Sequence, residues 1–282
     1  LKGQQSIPSD TVCYPAKLLH GHIETLIERG VRRIFYPCMP FNFDEGISDN
    51  HYNCPVVAYY PELLSANMDV LKTVEYHAPY FAPHAKKPFL RKISDYFFEQ
   101  FGIPRSETLQ AVEEGYRVYR EYHKKIQDYG EAAIATARRR ALPIFVLCGR
   151  PYHIDEEINH GINQLMTSLG AVVVTEDSVM NVREQVPVNV LNQWTYHARL
   201  YSAAHEVVKH DDMQLVQLVS FGCGLDAITT DEVKSILESN GKLYTQIKID
   251  EINNLGATKI RLRSLLAATQ KSEQKGTTAW QS

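Results

Sequence analysis

Apolar positions in the first part of the chain recur at helical spacing and then shorten into strand-like runs. Ser9, Asp10 and Thr11 offer helix-capping oxygens. Over residues 15–29, Leu18, Leu19, His22, Ile23, Leu26 and Ile27 share one helical face, and Gly30 supplies a stop. Residues 31–36, with Ile34 and Phe35 at their centre, predict a short buried strand ending at Pro37-Cys38. Residues 39–53 are rich in Asn, Asp and Gly and read as a loop, and 55–60 read as a second strand. Helical periodicity returns over 88–102 and 106–140, where Tyr116, Tyr119, Tyr122 and Ile126 fall on one side of a long helix.

The second half alternates more regularly. Runs at 143–147, 171–175, 213–219 and 243–249 have strand character, with helical patterns at 156–169, 195–209 and 230–240 between them. Such alternation predicts a parallel sheet with right-handed crossovers, a doubly wound lobe. With 282 residues there is enough chain for two cores. The expected organisation is therefore an N-terminal α/β lobe with a helical linker over 1–140 and a doubly wound α/β lobe over 141–282.

Charge narrows the partners. A net charge of −3 leaves no electrostatic footprint for nucleic acid, and Arg138-Arg139-Arg140 reads as the cationic end of a helix. No apolar stretch approaches the roughly 20 residues that span a bilayer, and no secretory leader is evident, so a cytoplasmic protein with no membrane partner is expected. A first residue of Leu instead of Met reads as a piece of a longer polypeptide.

The chemistry is carried by cysteines. Five of them, an odd number in a chain of this length, do not make a disulfide framework. Cys13 stands in Thr-Val-Cys-Tyr-Pro, Cys38 in Tyr-Pro-Cys-Met-Pro, Cys54 in Tyr-Asn-Cys-Pro and Cys223 in Phe-Gly-Cys-Gly, all at expected element junctions. Ligands of open α/β sheets gather at the carboxyl ends of strands, where Cys38 and Cys223 fall, and Cys13 immediately precedes a helix. Soft thiolates suit zinc or an iron–sulfur cluster. None of the gaps is the short knuckle usual in zinc sites, which favours iron–sulfur without excluding zinc. Cys148 closes the apolar run Ile-Phe-Val-Leu-Cys and reads as core packing.

Several stretches carry a family resemblance: Thr-Val-Cys-Tyr-Pro-Ala-Lys-Leu-Leu-His-Gly-His (11–22), Ile-Phe-Tyr-Pro-Cys-Met-Pro (34–40), Tyr-Asn-Cys-Pro-Val-Val-Ala-Tyr-Tyr-Pro-Glu (52–62), Gly-Arg-Pro-Tyr-His-Ile-Asp-Glu-Glu-Ile-Asn-His-Gly (149–161) and Ser-Phe-Gly-Cys-Gly-Leu-Asp-Ala (220–227). Together they resemble the large acyl-CoA dehydratase activase-related proteins, in a portion similar to a 2-hydroxyacyl-CoA dehydratase subunit. The resemblance implies two flavodoxin-like lobes with parallel sheets and a [4Fe–4S] cluster, or one of higher nuclearity. It implies Cys13, Cys38, Cys54 and Cys223 as ligands. Activator-type ATPase domains, upstream in the full-length chain, are the implied partners, together with a dehydratase-like subunit, a homodimer or acyl-CoA.

Other polar residues are weighed beside the thiols. Lys17 and His20 share a helix face and could neutralise cluster charge, or simply serve the surface or a cap. Arg150 and His153 lie in a strand-end loop, where Arg150 could bind a carboxylate or phosphate and His153 could act as an acid; they are the catalytic candidates. Asn159 and His160 read as satisfied helix polar groups, and Asp226 as a helix cap. The functional expectation is an iron–sulfur redox module that accepts low-potential electrons from an ATP-dependent activator, for reduction or for a dehydratase-type lyase reaction. The alternatives are a non-catalytic cluster or zinc domain that docks the activator ATPase to a partner.

Overall fold

A computed structural model describes residues 2–180, 185–220, 222–249 and 255–278, with side chains described as far as residue 269. In chain order the first elements are α1 (Tyr14–Glu28), β1 (Arg33–Phe35), α2 (Pro55–Asn67), β2 (Glu75–His77), α3 (Lys86–Phe101) and α4 (Arg105–Arg139). There follow β3 (Ile144–Cys148), α5 (Glu156–Asn159), α6 (Ile162–Ser168), β4 (Val172–Thr175), α7 (Glu176–Val179) and α8 (Thr195–Val207). The last are β5 (Met213–Ser220), α9 (Gly224–Ser239), β6 (Thr245–Ile249) and α10 (Leu255–Thr278). The chain forms two compact units, Leu1–Ile126 with Val182–Arg199 and Gln127–Asn181 with Leu200–Ser282, hereafter units 1 and 2. Among the described residues no helix is long and apolar enough to cross a membrane.

Unit 1 holds a two-stranded parallel sheet of β1 and β2, with Ile34 opposite Tyr76. Its core gathers Ala16 and Ile23 of α1, Ile34 of β1, Tyr60 and Leu64 of α2, and Met68 and Leu71 beyond it. β1 is not the fully buried strand expected from its sequence, since only Ile34 is buried and the flanking Arg33 and Phe35 are exposed. Arg33 and Phe35 alternate to the face opposite Ile34, where Phe35 meets the rings of Phe81, Tyr96 and Phe97 but stays partly open to solvent.

Residues 55–60, expected to be a strand, are instead the start of α2. Pro55 sits where its missing N–H costs nothing, and the Cys54 Sγ accepts the Val57 N–H at 3.5 Å as a helix cap. Ala58, Pro61 and Leu64 then bury one face at helical spacing, which outweighs the β-branched pair Val56-Val57. Cys54 is thereby the residue before a helix, as Cys13 is before α1.

Unit 2 carries a four-stranded, wholly parallel sheet in the order β4-β3-β5-β6. Every residue of β3 and of β5 is buried, as expected for central strands covered on both faces. The chain passes from β3 outward to β4 and then back across to β5, so the strand order reverses between β3 and β5, and their carboxyl ends border a topological switch point. The mixed α/β architecture with parallel sheets agrees with the sequence expectation and with a flavodoxin-like arrangement.

Two further expectations are corrected here. Residues 156–169 are not one helix: His160 (φ 52°) and Gly161 (φ 77°) separate α5 from α6. The Asn159 Oδ1 accepts the Gly161 N–H at 2.8 Å, a local turn that competes with the helical ladder. Second, α9 begins at Gly224, directly after Cys223, instead of at residue 230.

Candidate functional site

In unit 1 the cysteines sit where elements begin or end. Cys13 and Cys54 precede the first turns of α1 and α2, each followed within two residues by proline, so the backbone at both thiols is fixed. Cys38 lies just past β1 and is fully buried. It extends the β1–β2 ladder, with its N–H donating to Pro79 O at 2.8 Å and its carbonyl accepting the Phe81 N–H at 2.9 Å. No disulfide joins any of the five cysteines.

Tyrosines connect these thiols. Burial, and then the neighbouring Cys38 and Cys54, push the Tyr36 phenol up. Burial, Cys13 and Tyr36 push Tyr60 up to about 12. Burial, followed by Tyr36 and Cys38, pushes the Tyr76 phenol well up. All three tyrosines therefore keep their hydroxyl protons, and Tyr36 is near enough to feel two of the thiols. Cys38 itself is raised by burial and by the Glu62 carboxylate, against hydrogen bonds from the Glu62 backbone and the Tyr80 hydroxyl. The Tyr60 hydroxyl meets the His20 Nε2 at 2.9 Å, and the His20 Nδ1 meets the Ser6 Oγ at 2.7 Å. His20 thus fastens the N-terminal segment to α2, and burial lowers its basicity.

Three thiols at proline-flanked junctions are donors of the type an iron–sulfur cluster uses, so the residues of unit 1 fit such a group in the chemistry of their donors. Among the described residues no three His, Cys, Asp or Glu side chains already stand at ligand spacing for one metal ion. Cys148 is buried at the end of β3, where burial pushes its thiol well up, as a packing residue requires.

Unit 2 brings together Arg150, His153 and Cys223 from the expected set, at the switch point between β3 and β5. Arg150 follows β3, is buried, and donates from Nη2 to the Asp226 Oδ1 at 2.7 Å and to the Cys223 Sγ at 3.0 Å. Asp226, in the first turn of α9, accepts the Ser220 N–H through Oδ2 at 2.9 Å. Burial raises the Asp226 carboxyl despite the Arg150 guanidinium. Asp226 therefore ties the end of β5 to the loop after β3, a role that reaches beyond the helix cap expected of it.

The His153 Nδ1 accepts the Arg150 backbone N–H at 2.9 Å, which leaves the ring proton on Nε2, 3.5 Å from the Ser220 Oγ. Gly149 allows this packing, because a Cβ there would stand 2.4 Å from the His153 Nδ1. Burial, reinforced by Arg150, lowers the His153 pKa to about 3, so the ring is neutral at ordinary pH. An unfolded histidine titrates near 6.5, so this burial favours the fold above that value and loses its contribution as pH falls toward about 3. Comparing urea midpoints of wild type and His153→Gln across this window is expected to show a steeper acid loss in the wild type, and parallel curves would refute it.

Beside this network lies a cavity of about 430 Å³, lined by Ser220, Cys223, Gly224, Asp226, Thr230 and Lys248 among others. Cys223 thus borders open space while one side of its sulfur is held by Arg150. The expectation missed Ser220 and Tyr152, whose hydroxyls meet at 3.2 Å across the same two loops. It also missed Tyr80 and Glu62 beside Cys38.

A family model described as a CoA enzyme activase uncharacterised domain (DUF2229) matches residues 1–179. The match spans Cys13, Cys38, Cys54, Arg150 and His153 and ends before Cys223. A comparison with curated proteins finds no match.

Proposed function

The chain belongs to the CoA enzyme activase uncharacterised-domain family, and from that premise we propose that it is an iron–sulfur redox module of a CoA-enzyme activation system. Unit 1 supplies Cys13, Cys38 and Cys54 as ligands in this reading. The observation that carries it is their shared placement at the ends of α1, β1 and α2, with Tyr36 feeling Cys38 and Cys54 and Tyr60 feeling Cys13. A bound [4Fe–4S] cluster supplies one-electron chemistry at low potential.

The protein's own residues do the rest. Pro15 and Pro55 hold the backbone at two thiols, and Cys38 is covered from solvent. Cys223, the remaining thiol of the expected set, is tested separately by substitution. Electrons come from an activator-type ATPase, and a CoA thioester is the class of final acceptor.

The deciding measurement is iron and acid-labile sulfide in protein prepared and reconstituted without oxygen. Near-stoichiometric iron and sulfide, with a broad visible absorption that bleaches on reduction, are expected. Zinc alone, or protein without metal, sinks the reading and leaves the docking domain in its place.

A further inference from the structure

We propose that residues 191–199 form a strap that controls access to Cys38 and Cys54 by holding closed the loop 39–53 that joins them. The strap acts on access and stands whatever the thiols bind. Both segments belong to unit 1. Main-chain bonds run along the seam: the Asp49 N–H donates to Asn192 O at 2.7 Å, the Tyr52 N–H to Gln193 O at 3.0 Å, and the Thr195 N–H to Tyr52 O at 3.2 Å. The Asn192 side chain adds a bond from Nδ2 to Ile47 O at 3.0 Å. Arg199, in the second turn of α8, grips Glu45 with two guanidinium nitrogens, Nε at 2.8 Å from Oε2 and Nη2 on Oε1. That pair is enclosed, with the Arg199 and Glu45 side chains 4% and 14% exposed.

The seam reaches the thiols through Asn53. Its N–H donates to Pro40 O at 3.0 Å and its Nδ2 to Met39 O at 2.9 Å, so the residue before Cys54 is tied to the two residues after Cys38. The Asn53 Oδ1 accepts from the Asn42 Nδ2 at 3.1 Å, and the same Nδ2 donates to the Tyr196 hydroxyl of the strap at 3.0 Å. Strap, loop and the backbone at both thiols are thus one connected structure. Its grip is largely polar: Trp194 meets the Tyr52 ring at 5.7 Å between centroids, but Leu191 is exposed. Groups that leave such a seam exchange protein partners for water, so each bond adds little net stability. Two of its buried atoms, the Asn192 Oδ1 and the Thr195 Oγ1, have no hydrogen-bond partner, a cost that opening removes. Local opening of this kind lies below global unfolding in free energy, which is what a gate requires.

The test uses the full chain, freed of metal by a chelator and kept reduced, and follows iodoacetamide labelling of each cysteine by peptide mass spectrometry. Glu45→Gln and Asn192→Ala each weaken the seam without touching a thiol. Both are expected to speed labelling of Cys38, which is buried and labels only through opening, by about tenfold. Cys54, already partly open, is expected to change less, and Cys148, enclosed in the unit 2 sheet, to label as in wild type. An unchanged Cys38 rate in both variants overturns the proposal, and so does a matching rise at Cys148, which would mean loosening of the whole chain. Hydrogen exchange of the wild type gives a reading free of any variant. The Asp49 and Tyr52 amides are expected to exchange at a common rate, faster than those of β5; exchange as slow as in β5 overturns the gate even where a variant fails to fold.

Discussion

Cys13→Ser, Cys38→Ser and Cys54→Ser are each expected to lose most of the iron and sulfide that wild type takes up, whereas Cys148→Ser is expected to retain nearly all of it. Serine keeps the size of the side chain and removes the soft donor, so iron affinity falls while packing is little disturbed. The three junction thiols differ from Cys148 in kind. Each ends or begins an element beside tyrosines that sense it, whereas Cys148 is enclosed at the centre of the unit 2 sheet. Among the three, Cys38→Ser is expected to be the most damaging, because its partner is the buried end of the β1–β2 ladder and the substitute hydroxyl must satisfy the same donors. Cys223→Ser tests the remaining thiol of the expected set: iron lost keeps it among the candidate ligands, and iron retained removes it. Equal iron in all five variants and wild type would remove the proposed ligand set altogether.

The parts of this fold that burial makes continuous were legible in the sequence. β3 and β5 are covered on both faces, so Ile-Phe-Val-Leu-Cys stands out as an apolar run, and α3 ends at Gly102 in the left-handed conformation that glycine favours. α2 was not legible, because Val56-Val57 carries strand preference and the capping role of Cys54 is a property of three-dimensional position. β2 gave no signal at all. Of its three residues only His77 is buried, and that side chain is satisfied by Tyr96 at 2.7 Å and Glu75 at 2.8 Å instead of by apolar neighbours. The cost of missing β2 and α2 was the surroundings of Cys38, since Tyr80 follows one and Glu62 lies on the other. The cysteines themselves could be picked out by their proline and glycine neighbours. What polarises them could not, because it comes from segments distant in sequence.

The buried pair at the switch point carries the second large effect. Arg150→Ala is expected to destabilise unit 2 by about 3–5 kcal/mol near neutral pH, because it leaves the Asp226 carboxylate enclosed with the Ser220 N–H as its remaining described hydrogen bond. Asp226→Ala is expected to be destabilising as well, because it removes the carboxylate that faces the buried Arg150 guanidinium. Replacing both, as Arg150→Met with Asp226→Leu, should recover much of the loss, since two desolvated charges are removed together. pH separates the two single variants. Burial already raises the Asp226 carboxyl in wild type, and without Arg150 it rises further, so its neutral form is favoured in the fold. A carboxyl whose folded pKa exceeds its unfolded value gains stability as pH falls through the folded pKa. The Arg150→Ala penalty should therefore shrink on acidification, whereas in Asp226→Ala the guanidinium stays charged and the penalty persists. Urea unfolding of the three variants at neutral pH and near pH 5 measures this directly, and a double variant no more stable than the singles would show that the pair holds the β3 and β5 loops in a way packing cannot replace.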